Sequence, residues 1–479
     1  MRRLAILLPA ATLLGACGGT EELFRDHVVT PYAFVSAAGD TVQAERGQLA
    51  VPERRDDADS RWITLTYVRF PATTPTPGAP IVYLAGGPGG SGIQTARGRR
   101  FPLFMALRSV SDVIALDQRG TGESNQIPEC TERRPIPDDQ PASKAAAVEA
   151  IRELSRICYG QWREAGVDLA GYTTTENARD LDAVRAALGA EKVNLWGISY
   201  GTHLALAALK VMEPRIDRLV LASVEGLDQT VKLPARTDRY FERIQQAIDR
   251  DPASKALYPD AVGLIRRVFA RLDSAPVRVT IPGEGGSTSF LMGGDEVRLF
   301  TAGVISDPDN LATLLRLFRS ALDGDWTQLG GFEHRFMRRP IQISGMPELI
   351  DASSGIDAAR RALVEEQART SLLGDVLNFP IPHALPDLAV VDLGDDFRSP
   401  PVSGRPTLVL SGTLDGRTYP EAQREAVAKL GDVTFVTVAG AGHNLFMVSP
   451  AVGALIQRFL AGEAVSDTTI EVEVTGFRS

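Results

Sequence analysis

The chain has 479 residues, of which 44% are hydrophobic and 23% charged, and its formal net charge is −9. This length allows one large domain with an insertion, or two domains, and the composition is ordinary for a globular protein. The negative charge and the lack of a long Lys/Arg block argue against nucleic acid as the main partner.

The first residues predict export. Two arginines form a basic start, and residues 4–14 are apolar but too short for a permanent membrane-spanning helix. Residues 1–16 resemble a bacterial lipoprotein signal, with lipid attached to Cys17 and an anchor at the periplasmic face of a membrane. Gly18 after the cysteine favours the outer membrane. The alternative is a plain secretory signal with an incidental cysteine, which also predicts export.

Two further cysteines, Cys130 and Cys158, flank a segment rich in Pro, Asp and Ala. Because export implies an oxidising compartment, a disulfide that closes this loop is expected. The alternative is two unpaired buried thiols. Two isolated cysteines supply too few ligands for a metal site, and no metal is predicted.

Strand patterns follow in chain order. Residues 18 to about 60 are mixed, but 49–52 and 62–70 alternate apolar and polar residues, as in antiparallel edge strands. Continuous apolar runs flanked by glycine turns predict central parallel strands that are buried on both faces. These runs are residues 80–85, 112–116, 192–196 and 218–223, with a helix predicted at 177–188.

The alternation of strand and helix stops near Gly226 and resumes only at strands 406–410 and 433–438. Between them the sequence predicts helices at 239–250, 261–272 and 310–322 and a hairpin of 277–281 with 287–291. A last helix is predicted at 450–460. The pattern indicates an α/β fold with a doubly wound, mostly parallel sheet flanked by helices. The predicted divisions are a first core part at 17–226, a mainly helical cap at 227–400 and a second core part at 401–479.

The turn after strand 192–196 carries the first chemical signal. Residues 197–201 read Gly-Ile-Ser-Tyr-Gly, the pattern G-x-S-x-G, in which a sharp strand-to-helix turn exposes the serine at the end of the sheet. Glycines are needed beside it because a Cβ would collide with the neighbouring strand and helix. The helix N-terminus favours developing negative charge, so Ser199 is the predicted nucleophile. The alternative is an ordinary serine in a tight turn.

A serine nucleophile needs a base, and the chain has five histidines. His443 follows the last strand of the alternation and precedes the last helix, so it reaches the same sheet edge as Ser199 and is the predicted base. His203 lies inside the nucleophile helix, where it is expected to pack under the turn with its ring pointing away from Ser199.

Asp415 follows the penultimate strand and is expected to orient His443 and stabilise the imidazolium. The chain order Ser, Asp, His is that of the α/β-hydrolases. Asp395 and Asp396 precede that strand and would lie at its wrong end. The alternative role for Asp415 is an aspartate that forms a turn before glycine.

The tetrahedral oxyanion requires backbone N–H donors. Tyr200, directly after the nucleophile, is one candidate. The second comes from the loop after strand 80–85, where Pro88 has no N–H and Gly87 is therefore the candidate. A phosphate-binding glycine loop is excluded because no Lys-Ser/Thr follows and G-x-G-x-x-G is absent.

Three motifs together resemble the prolyl iminopeptidase and tripeptidyl aminopeptidase (TAP-like) branch of the α/β-hydrolases. They are AGGPGG at 85–90, LDQRGTG at 116–122 and GISYGT at 197–202. Their order and spacing match over about 80–225 and again over 400–460. The resemblance implies an α/β-hydrolase fold with a helical cap and a serine peptidase that removes residues from peptide N-termini through an acyl-enzyme.

The resemblance also implies roles for single residues. Family aminopeptidases bind the free amine of the substrate with acidic residues, and Glu225 is the candidate here, a structural salt bridge being the alternative. Family members usually carry His at the position of Ala85, which shapes the oxyanion loop and transfers no proton. Asp117 and Arg119 of the second motif are expected to form a buried structural ion pair.

The sequence therefore predicts an exported, lipid-anchored serine hydrolase that is most similar to aminopeptidases. Its expected partners are a peptide or a small ester or amide substrate and the membrane, and no metal or cofactor is called for. Two alternatives stay open: an esterase or amidase with the same triad, and a binding lipoprotein that has the fold without turnover. The oligomeric state is left open.

Overall fold

A ten-stranded sheet runs through the centre of the computed structural model, which describes residues 23–283, 286–466 and 468–478. The strands are β1 (Arg25–Val35), β2 (Thr41–Pro52), β3 (Trp62–Phe70), β4 (Ile81–Leu84), β5 (Val113–Asp117), β6 (Val193–Ser199), β7 (Ile216–Val224), β8 (Val277–Gly283), β9 (Gly286–Met292), β10 (Thr407–Gly412), β11 (Val433–Ala439) and β12 (Thr469–Glu471). The sheet order is β1-β2-β3-β5-β4-β6-β7-β10-β11-β12, and β8 pairs with β9 alone.

Helices fill most of the remaining described chain. They are α1 (Gly92–Arg97), α2 (Phe101–Leu107), α3 (Lys144–Glu164), α4 (Thr174–Ala187), α5 (Tyr200–Met212), α6 (Pro234–Asp249), α7 (Pro252–Leu257), α8 (Ala261–Ser274), α9 (Gly294–Val304), α10 (Pro308–Leu322), α11 (Thr327–Phe336), α12 (Met346–Ser354), α13 (Ala358–Ala368), α14 (Leu385–Leu388), α15 (Gly394–Arg398), α16 (Pro420–Ala426) and α17 (Pro450–Leu460).

The sheet is parallel from β5 and β4 to β12, as the apolar runs predicted. Successive residues of β4 belong to two different apolar clusters: Val82 and Leu84 to one, Ile81 and Tyr83 to the other. Because side chains alternate between the faces of a strand, these clusters are the cores on the two faces of the sheet. Burial on both faces explains the continuous apolar runs.

The amino-terminal strands differ from the prediction. β1, β2 and β3 are antiparallel, as expected, but β3 lies between β2 and β5 and is not an edge strand. The edge on this side is β1, which lies in the stretch that the sequence left unassigned. Most of its side chains are exposed, so its apolar alternation is weak.

The cap lies between β7 and β10, in the stretch predicted as helical. It holds helices α6 to α15 and the predicted β8–β9 hairpin, in which Val277 pairs with Met292. A separate apolar cluster joins α6, α8 and α10, and it includes Leu414 and Tyr419 from the loop after β10. The cap is therefore packed directly against the loop that carries Asp415.

The predicted disulfide is confirmed. Cys130 and Cys158 are bonded, with their Cα atoms 5.6 Å apart. The segment between them is not only a loop, because α3 occupies its second half and carries Cys158 on a buried face with Leu154 and Trp162. The bond ties the irregular stretch before α3 to that helix.

None of the helices in the described ranges is long and apolar enough to cross a membrane. The predicted signal segment at 1–16 and Cys17 lie outside the described residues.

Candidate active site

Ser199 lies at the turn from β6 into α5, as the motif predicted. Its φ is +55°, a strained value for a residue with a side chain. A Cβ on Gly197 would lie 2.6 Å from the Gly201 carbonyl oxygen, and one on Gly201 would lie 2.1 Å from the Leu84 carbonyl oxygen. Both flanking glycines are thus required by close backbone contacts.

His443 and Asp415 form a hydrogen-bonded pair. His443 Nδ1 lies 3.0 Å from Asp415 Oδ2 and 3.1 Å from Oδ1. The main chain of His443 is fixed from both sides, since its N–H donates to the Ser306 carbonyl (2.7 Å) and its carbonyl accepts from Ser223 Oγ (2.7 Å). Because Nδ1 faces Asp415, Nε2 is left for the other side of the ring.

The Asp415 carboxylate is fully buried and has several further donors. It accepts from the backbone N–H of Arg417 (2.8 Å), from the N–H of Thr418 (2.9 Å) and from Thr418 Oγ1 (2.7 Å). Burial raises the pKa of Asp415, but His443 and these donors outweigh burial and hold the pKa below its usual value. The carboxylate is therefore ionised.

Ser199 and His443 line one cavity of about 470 Å³, which we call the larger cavity. No hydrogen bond joins Ser199 Oγ to the imidazole in the described part of the chain. Such contacts are often long before substrate binds. The structure thus brings Asp415 onto His443 and sets His443 beside the same cavity as Ser199.

The loop after β4 borders the serine. Gly86 packs so closely that a Cβ would lie 2.8 Å from the Ile198 carbonyl oxygen, and Gly87 has a φ of +131°. Gln118 fixes the loop, because its Nε2 donates to the Ala85 carbonyl (3.0 Å). Gly87 and Ser199 share both cavities at the site.

A second cavity of about 90 Å³, which we call the smaller cavity, also reaches Ser199. Two carboxyl groups line it, Glu225 and Asp351, together with Lys232 and Arg417. Glu225 follows β7, and its Oε2 accepts from Lys232 Nζ at 3.0 Å. Glu225 therefore forms the salt bridge of the alternative interpretation and also lines the cavity, and its binding of a substrate amine stays a prediction.

The two carboxyl groups of the smaller cavity differ in pKa. Burial raises the pKa of Glu225, but Lys232 and His203 outweigh burial and hold it below the usual value. For Asp351, burial and the neighbouring Glu225 raise the pKa to about 8. No hydrogen bond reaches the Asp351 carboxyl from the described residues.

Sequence reasoning missed several of these groups. Asp351 lies half-buried on α12 of the cap, and nothing in its local pattern marks it. Arg417 and Thr418 follow Asp415 within one loop, so a search around the predicted Asp would have found them. Arg100 also lines the larger cavity, and it lies directly before α2, outside every motif.

His203 is buried under the turn, as predicted. Its Nδ1 lies 3.1 Å from the Gly226 carbonyl and its Nε2 lies 3.2 Å from Ser354 Oγ, so both ring nitrogens are engaged away from Ser199. Burial lowers the pKa of His203.

The predicted ion pair between Asp117 and Arg119 is wrong, although both side chains are buried. Arg119 binds Asp180 through two hydrogen bonds of 2.7 Å and 2.6 Å. Asp117 accepts from Ser91 Oγ and from backbone N–H groups instead. The two residues of this short motif therefore have different partners.

Comparison with known families agrees with this architecture. Residues 79–272 match the family described as alpha/beta hydrolase fold, and residues 395–469 match the family described as TAP-like protein. The chain belongs to the α/β-hydrolases. The first match runs from β4 through β7 into the cap helices α6 to α8, and the second includes β10 and β11, so together they include the loops that carry Ser199, Asp415 and His443 of this α/β-hydrolase.

Curated relatives of this α/β-hydrolase are peptidases. It is 33% identical over 193 residues to a tripeptidyl aminopeptidase of Streptomyces coelicolor, which covers 38% of this chain and 32% of the relative. It is 31% identical over 181 residues to serine protease Hip1 of Mycobacterium tuberculosis, which covers 36% of this chain and 35% of the relative. The match spans about a third of the length of these relatives.

Similar solved structures include a proline iminopeptidase of Mycobacterium smegmatis, with 16% identity and a TM-score of 0.39. The match covers 86% of this chain and 97% of the iminopeptidase chain. An esterase of Thermogutta terrifontis has 18% identity and a TM-score of 0.35, and covers 85% of this chain and 96% of that one.

Proposed function

We propose that this α/β-hydrolase is a serine peptidase that removes residues from the N-termini of short peptides through an acyl-enzyme. The observation that carries the proposal is that Ser199 lines two cavities, one with His443 and one with Glu225 and Asp351. A base and a pair of carboxyl groups thus flank one hydroxyl. The similarity to a tripeptidyl aminopeptidase and a serine protease supports the same class.

In the proposed reaction, Ser199 Oγ bonds to the substrate carbonyl carbon while His443 Nε2 takes the hydroxyl proton. The imidazolium then donates that proton to the amine as the C–N bond breaks, which leaves an ester on Ser199. Water attacks this ester, loses a proton to His443, and the acid leaves as Ser199 regains its hydrogen. Asp415 holds the Nδ1–H and stabilises the imidazolium throughout.

The oxyanion is proposed to bind the N–H groups of Gly87 and Tyr200. Tyr200 is the first residue of α5, so its N–H has no acceptor within the helix. No acceptor for the Gly87 N–H occurs in the described chain either. Two unpaired donors beside Ser199 are what a developing oxyanion requires.

The free amine of the substrate is proposed to bind in the smaller cavity. An ammonium group has three N–H donors, and the Asp351 carboxyl together with Glu225 Oε1 offers acceptors that no described residue occupies. Asp351 and residues 379–381 also border an apolar cavity of about 390 Å³, which leaves room for side chains on the acyl side.

Substrate panels test this function. We expect the purified enzyme to hydrolyse aminoacyl- and peptidyl-naphthylamides, and Ser199→Ala to abolish turnover and fluorophosphonate labelling. Acetylation of the substrate amine should lower kcat/KM, because an amide offers no positive charge to the two carboxyl groups. Activity confined to p-nitrophenyl esters would reject the peptidase and favour the esterase. A protein that reacts with no fluorophosphonate would be a binding protein instead.

We further propose that the protein is exported and lipid-anchored at Cys17, on the periplasmic face of a membrane. The basic and apolar start of the sequence and the Cys130–Cys158 disulfide support this, since disulfides persist in oxidising compartments. Labelled fatty acid should be incorporated into the wild type and not into Cys17→Ser. Recovery of both proteins in the soluble cytoplasmic fraction would contradict export.

A further inference from the structure

The larger cavity is the side of the site where the leaving group lies, if the proposed function holds. His443 must give its proton to the departing amine. His443 lines the larger cavity and is not among the residues that line the smaller one. The part of the substrate on the far side of the scissile bond therefore extends into the larger cavity.

The charges around that cavity are of one sign. Its lining includes two arginines, Arg100 and Arg417, and no aspartate or glutamate. Within the described chain, neither guanidinium forms an ion pair with a carboxylate. Arginines whose side chains are fully buried are paired with carboxylates, as Arg119 is with Asp180 at 2.6 Å and Arg338 with Glu296 at 3.0 Å, whereas Arg100 and Arg417 are half-buried.

Each of the two arginines is held in position by neutral groups. Arg100 donates to Tyr83 OH and to Asn444 Oδ1 (3.3 Å), and its guanidinium lies over the Phe446 ring. These contacts orient the guanidinium and leave its positive charge uncompensated.

Arg417 is fixed by the loop of the proposed catalytic aspartate. Its backbone N–H donates to Asp415 Oδ1, and its Nη1 reaches only the Ala302 carbonyl, at 3.4 Å. The ion-pair partner of Glu225 is Lys232, at 3.0 Å, and Arg417 acts on Glu225 and Asp351 only at longer range, across the smaller cavity. Two oriented guanidinium groups that form no ion pair in the described chain, beside the leaving-group side, are suited to a carboxylate.

We propose that Arg417 and Arg100 bind a carboxylate on the leaving side of the scissile bond. The inference rests on the proposed peptidase function and specifies its substrates. Two sources of carboxylate are open: the C-terminus of a short leaving peptide, or an acidic side chain at its first residue. If the carboxylate is the C-terminus and the amine binds in the smaller cavity, the substrates are short peptides with both ends free.

The test compares peptides that share one acyl part. In the first pair the leaving group is a dipeptide, which ends in a free carboxylate in one member and in a carboxamide in the other. A second pair, amidated throughout, has Glu or Gln as the first leaving residue. We expect kcat/KM to be about 10-fold higher or more for the charged member of one pair, the size of a charge-assisted hydrogen bond. The preferred pair identifies the source of the carboxylate.

Variants locate the effect. In Arg417→Gln, and more so in the double variant with Arg100→Gln, the charged-to-neutral ratio should fall toward 1, while Arg417→Lys should retain part of it. Arg99→Gln removes the same charge from an exposed neighbour that lines neither cavity, and it should keep the wild-type ratio. Fluorophosphonate labelling of Ser199 verifies that each variant is folded.

A measurement on the wild type alone tests the inference even if the variants fail to fold. The free-acid leaving peptide should inhibit naphthylamide turnover at about 10-fold lower concentration than its amide. Equal rates within both pairs and equal inhibition, with the naphthylamide still cleaved, would overturn this inference and leave the peptidase intact. If the wild-type protein cleaves no naphthylamide and no peptide, the proposed function fails and this inference fails with it.

Discussion

Two aspartates at the site show how neighbouring groups decide the pKa of a carboxyl group. Asp415 follows β10 in the sheet half of the molecule, and Asp351 lies on α12 in the cap. Burial raises the pKa of both. Asp415 accepts from His443, Arg417 and Thr418 and its pKa ends below the usual value, whereas Asp351 has no described donor and its pKa is raised to about 8.

The difference follows from what surrounds each group. A carboxylate with several donors stays charged and can orient a histidine. A carboxyl group with no hydrogen-bond donor, beside another acid, keeps its proton to higher pH even with Lys232 and Arg417 in the same cavity. The first arrangement is complete without substrate, and the second is completed by the ammonium group that we propose as its ligand.

After loss of Ser199 itself, the largest expected effect is that of Asp415→Asn. The amide cannot stabilise the imidazolium and presents the wrong partner to Nδ1, so kcat should fall about 10³- to 10⁴-fold. Naphthylamide turnover measures the loss, and the circular dichroism spectrum should match the wild type. A loss below about tenfold would remove Asp415 from the proposed triad.

Asp351→Asn is expected to have the next largest effect. It removes a negative acceptor for the substrate amine, so kcat/KM for free-amine substrates should fall about 10- to 100-fold. The fall with p-nitrophenyl acetate should be smaller, because that ester has no amine. Asp323→Asn, an exposed change in the cap, is the matched control. Equal losses on both substrates would mean that Asp351 serves the fold rather than the amine.

The same variant should change the pH dependence of stability. Between the ordinary pKa of 3.8 and the folded value of about 8, the native state holds a proton that the unfolded chain has lost. Stability from this group is therefore lost as pH rises through that window. The free energy of unfolding of Asp351→Asn, minus that of the wild type, should therefore be larger at pH 8 than at pH 4.5, by about 2 kcal/mol. The figure is kept small because the cavity admits water, which screens the charge.

Thermal or urea unfolding at the two pH values measures this difference, with Asp323→Asn again as the reference. If the variant and the wild type differ equally at both pH values, the raised pKa of Asp351 is refuted.

Thr418→Val is expected to give the smallest effect. It removes the Oγ1 donor to Asp415 Oδ2 and keeps the Thr418 N–H, so one of several donors is lost. We expect kcat to fall about tenfold or less, near 1 kcal/mol. A loss as large as that of Asp415→Asn would show that the other donors do not hold the carboxylate by themselves.

Local pattern predicted the sheet better than its borders. Runs such as 192–196 are apolar on both faces and are stable only when both faces are buried, so the sequence predicted β6 and its neighbours as central strands. β1 was missed because an exposed edge strand has little apolar alternation. α3 was missed because its polar face dominates the composition of the segment between the cysteines.

Local motifs predicted Ser199, His443 and Asp415 as one group, since turns after parallel strands meet at one edge of a sheet. They did not predict which charges meet around them. Arg119 was assigned to its neighbour Asp117 but binds Asp180 on α4, because the partner of a buried charge is chosen by packing.

The sequence by itself determined the alternating sheet, the strained turn at Ser199, the cysteine pair and the chain order of the three proposed catalytic residues, because each depends on periodicity or on backbone geometry over a few residues. Tertiary structure alone decided that Asp351 of the cap lies with Glu225 and that Arg100 lies with Arg417. These pairs join segments more than a hundred residues apart, and packing of the cap and helices onto the sheet edge sets their distances and their charge environment.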